Sequence, residues 1–197
     1  MKITNDIFKR IGFPQKKGLY DPNNEHDACG FGFIANINNE PRHELVHQAL
    51  DIVGKLDHRG AIGADPLAGD GAGILIQIPD EFFRNYFDKL NIVLPNFGEY
   101  AVGITFLPKD KTRASLAKNA IEKAIMDEGQ TFIGWREVPV DISVLGETVK
   151  ANRPHIIQFF VQKSDKCKDE SEFQRKLYVI RKQVHKKLHS SKLLEWE

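Results

Sequence analysis

Cys29 is followed at once by Gly30-Phe31-Gly32-Phe33 and preceded by a patternless stretch, residues 1–28, in which Pro14, Gly18, Pro22, Asn23 and Asn24 mark turns. A strand that opens on a cysteine points to a nucleophile exposed by cutting before it. Such a cut creates an α-amino group with a pKa of about 8 beside a thiol of about 8.5, so the amine can take the thiol proton near neutral pH. One residue then supplies both nucleophile and base. Taken alone, Cys29 reads equally well as a small buried hydrophobe. The neighbouring glycines, which let backbone or substrate approach closely, favour the reactive reading. A Cys–His dyad needs His43, His47, His58 or His155, since His26 belongs to the leader, and spacing does not choose among the four.

His58-Arg59-Gly60 follows 30 residues later. Arg59 reads either as a cation compensating a helix dipole beside a glycine stop, or as a guanidinium held near the cysteine. The loop Gly69-Asp70-Gly71-Ala72-Gly73 fails as a phosphate cradle. A dinucleotide fingerprint starting at Gly71 needs glycine where Ile76 stands, and no Gly-Lys-Ser/Thr follows for a P-loop. A wall of a pocket is the better reading. The two cysteines, Cys29 and Cys167, lie 138 positions apart, which excludes a disulfide scaffold and a zinc or iron–sulfur site built from them. Cys167, between Lys166 and Lys168, reads as a surface thiol.

The elements that must position these residues follow from periodicity. Residues 29–37 alternate apolar side chains and predict a strand buried on both sides that starts at the cysteine. Asn39 and Pro41 open a helix carrying Leu45, Ala49, Leu50, Val53 and Leu56, and Gly60 ends it, which places Arg59 at its C-terminus. Residues 71–78 predict a second strand, 80–90 a short helix and 99–107 a strand ending at Pro108. Asp110 caps a longer helix whose stripe Ala114, Ala117, Ile121, Ala124 and Ile125 runs to Gly129. Strands follow at 131–138 and 155–161, then an amphipathic basic helix at 170–188. The sum is an α+β layered domain beginning near Cys29.

Composition narrows the function classes. With 28 Lys+Arg against 27 Asp+Glu, the net charge of +1 argues against a nucleic-acid partner. The basic helix keeps a nucleic-acid surface as a minor alternative, but Phe173, Leu177, Ile180, Val184 and Leu188 give it a core-packing face with the cations on the solvated side. The longest uncharged run, residues 28–39, is far short of the ~20 apolar residues that cross a bilayer. The leader lacks the apolar core of a secretory signal. A cytoplasmic protein with no membrane partner is expected.

Read together, Glu25-His26-Asp27-Ala28-Cys29-Gly30-Phe31-Gly32-Phe33-Ile34-Ala35, Leu56-Asp57-His58-Arg59-Gly60-Ala61, Gly63-Ala64-Asp65-Pro66 and Gly69-Asp70-Gly71-Ala72-Gly73-Ile74-Leu75 closely resemble the N-terminal class II glutamine amidotransferase domain of glutamate synthase large subunits. The resemblance is dense over residues 20–80 and looser as far as Tyr178-Val179-Ile180-Arg181-Lys182. It implies an N-terminal-nucleophile hydrolase fold of four αββα layers, here partial, with residues 1–28 a propeptide and residues 29–197 the N-terminal part of the domain. It implies that Cys29 attacks the L-glutamine side-chain amide and releases ammonia through a thioester, for glutamate synthesis from 2-oxoglutarate in the full-length enzyme. Arg59 then helps order the pocket, and Gly30 and Phe31 contribute to its wall.

The resemblance also implies FMN and an iron–sulfur cluster in the remainder of the subunit, none of them in this segment, and a smaller electron-donating subunit in some members. The family's oxyanion-hole Asn-Gly pair and its substrate-gripping arginine and aspartate fall downstream of Glu197. The chain is therefore expected to be truncated, with low glutaminase activity by itself and an open sheet edge. The alternative is a catalytically incomplete fragment acting only as a structural or partner-binding module.

Overall fold

The computed structural model describes Gly18, residues 30–56, Leu67 and residues 71–190. The chain divides into two units, Met1–Leu75 and Ile76–Glu197. In the first, the described secondary structure is one helix, α1, His43–Lys55. Asn39 does not cap it. With φ at 55°, its N–H closes a turn onto the Asn36 carbonyl at 3.0 Å, and Arg42 takes the N-cap position without a side-chain cap bond. Leu56 is the C-cap. The helix thus ends before the expected stop at Gly60, which corrects the placement of Arg59 at its C-terminus; Arg59 and Gly60 themselves lie outside the described residues.

The strand expected over residues 29–37 does not form in its described part. Residues 30–36 carry no ladder, and Phe31, Phe33 and Ile37 are exposed rather than buried. A strand is made by its partner's hydrogen bonds. Apolar alternation says only what a partner would bury, and no described segment pairs with this one. The same correction applies to residues 71–78, which carry no ladder and leave Leu75 fully exposed.

The second unit begins with α2, Asp80–Asp88, and then alternates β1, Tyr100–Leu107, α3, Lys111–Asp127, β2, Thr131–Glu137, α4, Glu147–Asn152, β3, His155–Gln162, and α5, Glu170–Ser190. The α+β expectation holds. The strands form one sheet in the order β1-β3-β2, and both outer strands run antiparallel to β3. β1 and β2 are therefore mutually parallel, and α3 is the crossover between them.

Local chemistry explains the boundaries. The Asp110 side chain accepts the Arg113 N–H at 2.7 Å, starting α3 as its sequence predicts. Gly129, at φ 71°, ends it: Gly129 N–H bonds to Met126 O and Gln130 N–H to Ile125 O, the paired closure of a Schellman motif. Asn91 does the same after α2, at φ 56°, with Asn91 N–H on Asp88 O and Ile92 N–H on Phe87 O. The short α4 carries no apolar stripe for a sequence reading to find. Its last carbonyls, at Lys150 and Ala151, accept from Lys109 Nζ at 2.7 and 2.6 Å.

Packing is organised by β3, whose alternate residues serve both faces. Val161 joins Ile121, Ile125, Phe173 and Ile180 under α3 and α5. Phe160, fully buried, meets Phe83 and Phe87 of α2 edge to face at 4.9 and 4.6 Å. Arg175, Arg181, Lys182, Lys186 and Lys187 are exposed, so α5 uses its apolar face for the core. Cys167 is half-buried rather than at the surface. The buried Gln130 places its Nε2 3.5 Å from the Cys167 Sγ and accepts from Ser164 N–H. Among the described residues no helix is long and apolar enough to cross a membrane.

Two contacts yield measurable consequences. Gly103 faces Phe159 across the β1–β3 ladder, and a Cβ on Gly103 would fall within the Phe159 ring's van der Waals envelope. Gly103→Ala should cost about 1–3 kcal/mol in urea denaturation, with Phe159→Ala in the same chain relieving part of the clash. At the start of α2, Asp80 accepts from Arg84 Nε at 2.8 Å and from the Tyr100 hydroxyl at 2.8 Å. Arg84 also donates to the carbonyls of Leu94 and Pro95. Burial pushes the Asp80 carboxyl up, but the hydrogen bonds from Arg84 and Tyr100 outweigh it and hold it below its ordinary 3.8. Its stabilising contribution is therefore whole above that pH and is lost as the pH falls through the folded value. Asp80→Asn should be less stable than the parent at pH 7 by about 1–3 kcal/mol. The difference should shrink below about pH 4, as urea midpoints at pH 7, 4 and 3 will report.

Candidate functional site

The segment that follows the cysteine has no regular secondary structure in residues 30–36 and comes close to α1 at Gly30 and Gly32. Glycine decides how closely: a Cβ on Gly32 would lie 2.5 Å from Ile52 Cγ2, and one on Gly30 would lie 3.0 Å from Leu56 Cβ. The main chain thus presses onto the apolar side of α1, and a side chain at position 32 would lift it away. The close approach expected of these glycines is made by the chain's own helix. Phe31 and Phe33, between and beyond the glycines, are 87% and 83% exposed and belong to neither face of a core.

Of the expected site residues, Gly30 and Phe31 are therefore seen as exposed neighbours on a backbone held by α1. Cys29 and Arg59 lie outside the described residues, as does most of the loop from Gly60 to Asp70. Among the candidate histidines, His43 and His47 stand one turn apart on α1 with their rings edge to face at 4.6 Å. His155 belongs to β3 and is engaged elsewhere, its Nε2 2.5 Å from Glu137 Oε2. His58 lies outside the described residues. No group of three or more His, Cys, Asp or Glu among the described residues could hold a metal ion.

The second unit contributes two features that the sequence reading did not single out. An apolar groove of about 500 Å³ lies between β1, α3 and α5, floored by Gly103, Thr105 and Phe159 and walled by Ile121, Ile180 and Val184. It contains none of the expected site residues. On the opposite face of the sheet, Arg136 of β2 is only 8% exposed. Its guanidinium lies 5.0 Å from the Phe82 ring centre and 5.1 Å from that of Tyr86. The available sequence signal was a charged residue at a strand position on the same side as the Phe83–Phe160 core. Strand periodicity alone reads that as a solvated edge.

Comparison with known proteins gives these observations a frame. The sequence pattern of the family "Glutamine amidotransferases class-II" matches residues 29–196, beginning on the cysteine itself. The chain is 44% identical over 171 residues to the large chain of glutamate synthase (NADPH) from Bacillus subtilis (strain 168), covering 87% of this chain and 11% of that one. It is 42% identical over 164 residues to ferredoxin-dependent glutamate synthase 2 of Synechocystis, covering 83% and 10%. Against glutamate synthase (NADH) of Saccharomyces cerevisiae it is 39% identical over 181 residues, covering 87% and 8%. The chain spans about a tenth of the length of the curated relatives it matches. With a family pattern running from Cys29 to within a residue of its last position, this chain belongs to the class II glutamine amidotransferases.

Proposed function

We propose that this chain is the amidotransferase part of a glutamate synthase, and that Cys29 releases ammonia from L-glutamine. The observation that carries the reading is the family match that opens on Cys29 and continues through residue 196. Residues 1–28 are a leader whose removal exposes the Cys29 α-amine, and residues 29–197 are the N-terminal part of a four-layer αββα N-terminal-nucleophile hydrolase domain. The glycine-held backbone after Cys29 supports this placement, because it anchors the nucleophile's neighbours to α1 while leaving the Phe31 side open.

In the proposed reaction the α-amine takes the thiol proton as Cys29 Sγ attacks the glutamine Cδ. The C–N bond breaks, the leaving nitrogen takes the proton as ammonia, and a γ-glutamyl thioester remains. Water then cleaves the thioester, giving glutamate and restoring the thiol. Arg59 orders the pocket, and Gly30 and Phe31 form part of its wall. In a longer subunit the ammonia meets 2-oxoglutarate, and FMN, an iron–sulfur cluster and, in some members, an electron-donating subunit supply the reduction. The cluster's ligands are not in this segment, since its two cysteines lie 138 positions apart. The expected compartment is the cytoplasm.

The test uses a full-length synthase subunit that carries this sequence. Its active form should begin at Cys29 by intact mass, and Cys29→Ala should lose at least about 100-fold of glutamine-dependent synthesis while keeping ammonia-dependent synthesis. An active form that retains Met1, or equal loss of both activities, overturns the assignment of Cys29.

A further inference from the structure

β1 stands at the edge of its sheet. It pairs with β3 on one side, and among the described residues no strand pairs with the other. Alternation decides which main-chain groups face that free side. The Glu99 carbonyl accepts the Lys163 N–H at 2.8 Å, in register with the β1–β3 ladder. Gly103 and Thr105, two and three pairs further on in the same phase, therefore direct their N–H and C=O groups to β3. Those of Val102, Ile104 and Phe106 point outward. Ile104 and Phe106 are 56% and 57% exposed, and β1 carries neither a charge nor a proline to discourage pairing. The apolar groove follows this edge, since every residue from 101 to 108 lines it. A pocket confined to one face of the sheet would touch only alternate residues.

Topology says where a neighbour comes from. β1, α3 and β2 form one β-α-β unit whose parallel strands are separated by β3. β3 and α5 are the first two parts of a second such unit. Its third part, a strand parallel to β3 with β1 between them, falls on the free edge and completes a split β-α-β pair. The direction of α5 agrees. Its Phe173 and Leu177 pack in the cluster that includes Ala101, near the start of β1, and Leu188, in its last turn, packs in the cluster of Leu107, at the end of β1. The chain thus leaves α5 beside the C-terminal end of β1, and a return along the groove runs antiparallel to β1. We propose that the polypeptide following residue 197 in a full-length subunit adds a fourth strand on the free edge of β1 and fills the groove. The inference rests on the placement of this chain in a longer subunit, proposed above. The added strand is apolar toward Ile180 and Val184, which wall the groove, and its other face lies beside Ile104 and Phe106, where β-branched or aromatic side chains pair well.

The test is residue-resolved amide hydrogen exchange, read by electron-transfer fragmentation mass spectrometry. Three chains are compared: the 197-residue chain, the full-length subunit, and a chain extended past residue 197 by about 25 residues, enough for a connection and a strand. In all three, slow exchange at Gly103 and Thr105 reports an intact β1–β3 ladder. Ile104 and Phe106 should exchange fast in the 197-residue chain and at least about 100-fold more slowly in both longer ones, where their N–H groups gain acceptors. Fast exchange of both in the full-length subunit overturns the proposal. Slow exchange already present in the 197-residue chain also overturns it: a second copy holds the edge if protection rises with protein concentration, and the chain closes its own edge if it does not. Protection in the full-length subunit but not in the extended chain assigns the strand to a more distant segment and overturns its origin after α5. Exchange does not depend on catalysis, so slowed Ile104 and Phe106 beside an unaffected Cys29→Ala enzyme count against the role of Cys29 and leave the fourth strand standing.

Discussion

A three-stranded sheet has one strand with two neighbours, and in this chain that strand must hold both faces of the molecule's second unit together. β3 does so because consecutive residues are large and apolar in opposite directions: Phe159 and Val161 toward α3 and α5, Phe160 toward α2. An amphipathic strand would have left one face wet. Doubly apolar β3 requires a helix layer on each side, and the positions of α2, α3 and α5 follow from that requirement. The Asp80–Arg84–Tyr100 cluster then fastens α2 to the start of β1 and to the carbonyls of the intervening loop. The polar network thereby fixes the angle at which the aromatic layer sits.

What was legible in the sequence was whatever is decided locally. Asp110 and Gly129 bracket a helix with side-chain and main-chain bonds made within a turn of each, so their chemistry is visible in a short window. The stripe of α5 separates core from solvent on the same principle, and its buried Phe173 and Ile180 lie seven residues apart on one face. The segments at 30–37 and 71–78 were misread because strand formation is not local. Their apolar alternation is real, but alternation specifies a surface and leaves the partner unnamed. Asn39 shows the converse error: a good capping residue closes the tight turn from Asn36, three positions ahead of the N-cap Arg42.

The candidate site was legible as chemistry and less so as geometry. A cysteine beside two glycines says that something comes close, and only coordinates identify that neighbour as Ile52 and Leu56 of the following helix. Arg136 was hidden for a different reason. A cation enclosed by three rings contributed from a helix 50 residues earlier leaves no short-range signature, since neither the helix nor the strand is unusual by itself.

The contact between Gly103 and Phe159 also bears on how this sequence can change over generations. The ring occupies the volume in which any side chain at 103 would begin, so the two positions share one space. A larger residue at 103 is admissible only after the ring at 159 has been reduced, and a reduced ring first leaves a void against Trp135. Drift between alternative pairs must therefore pass through an intermediate that fits worse than either end. Related chains are accordingly expected to keep the pair or exchange both members, rather than to vary one at a time.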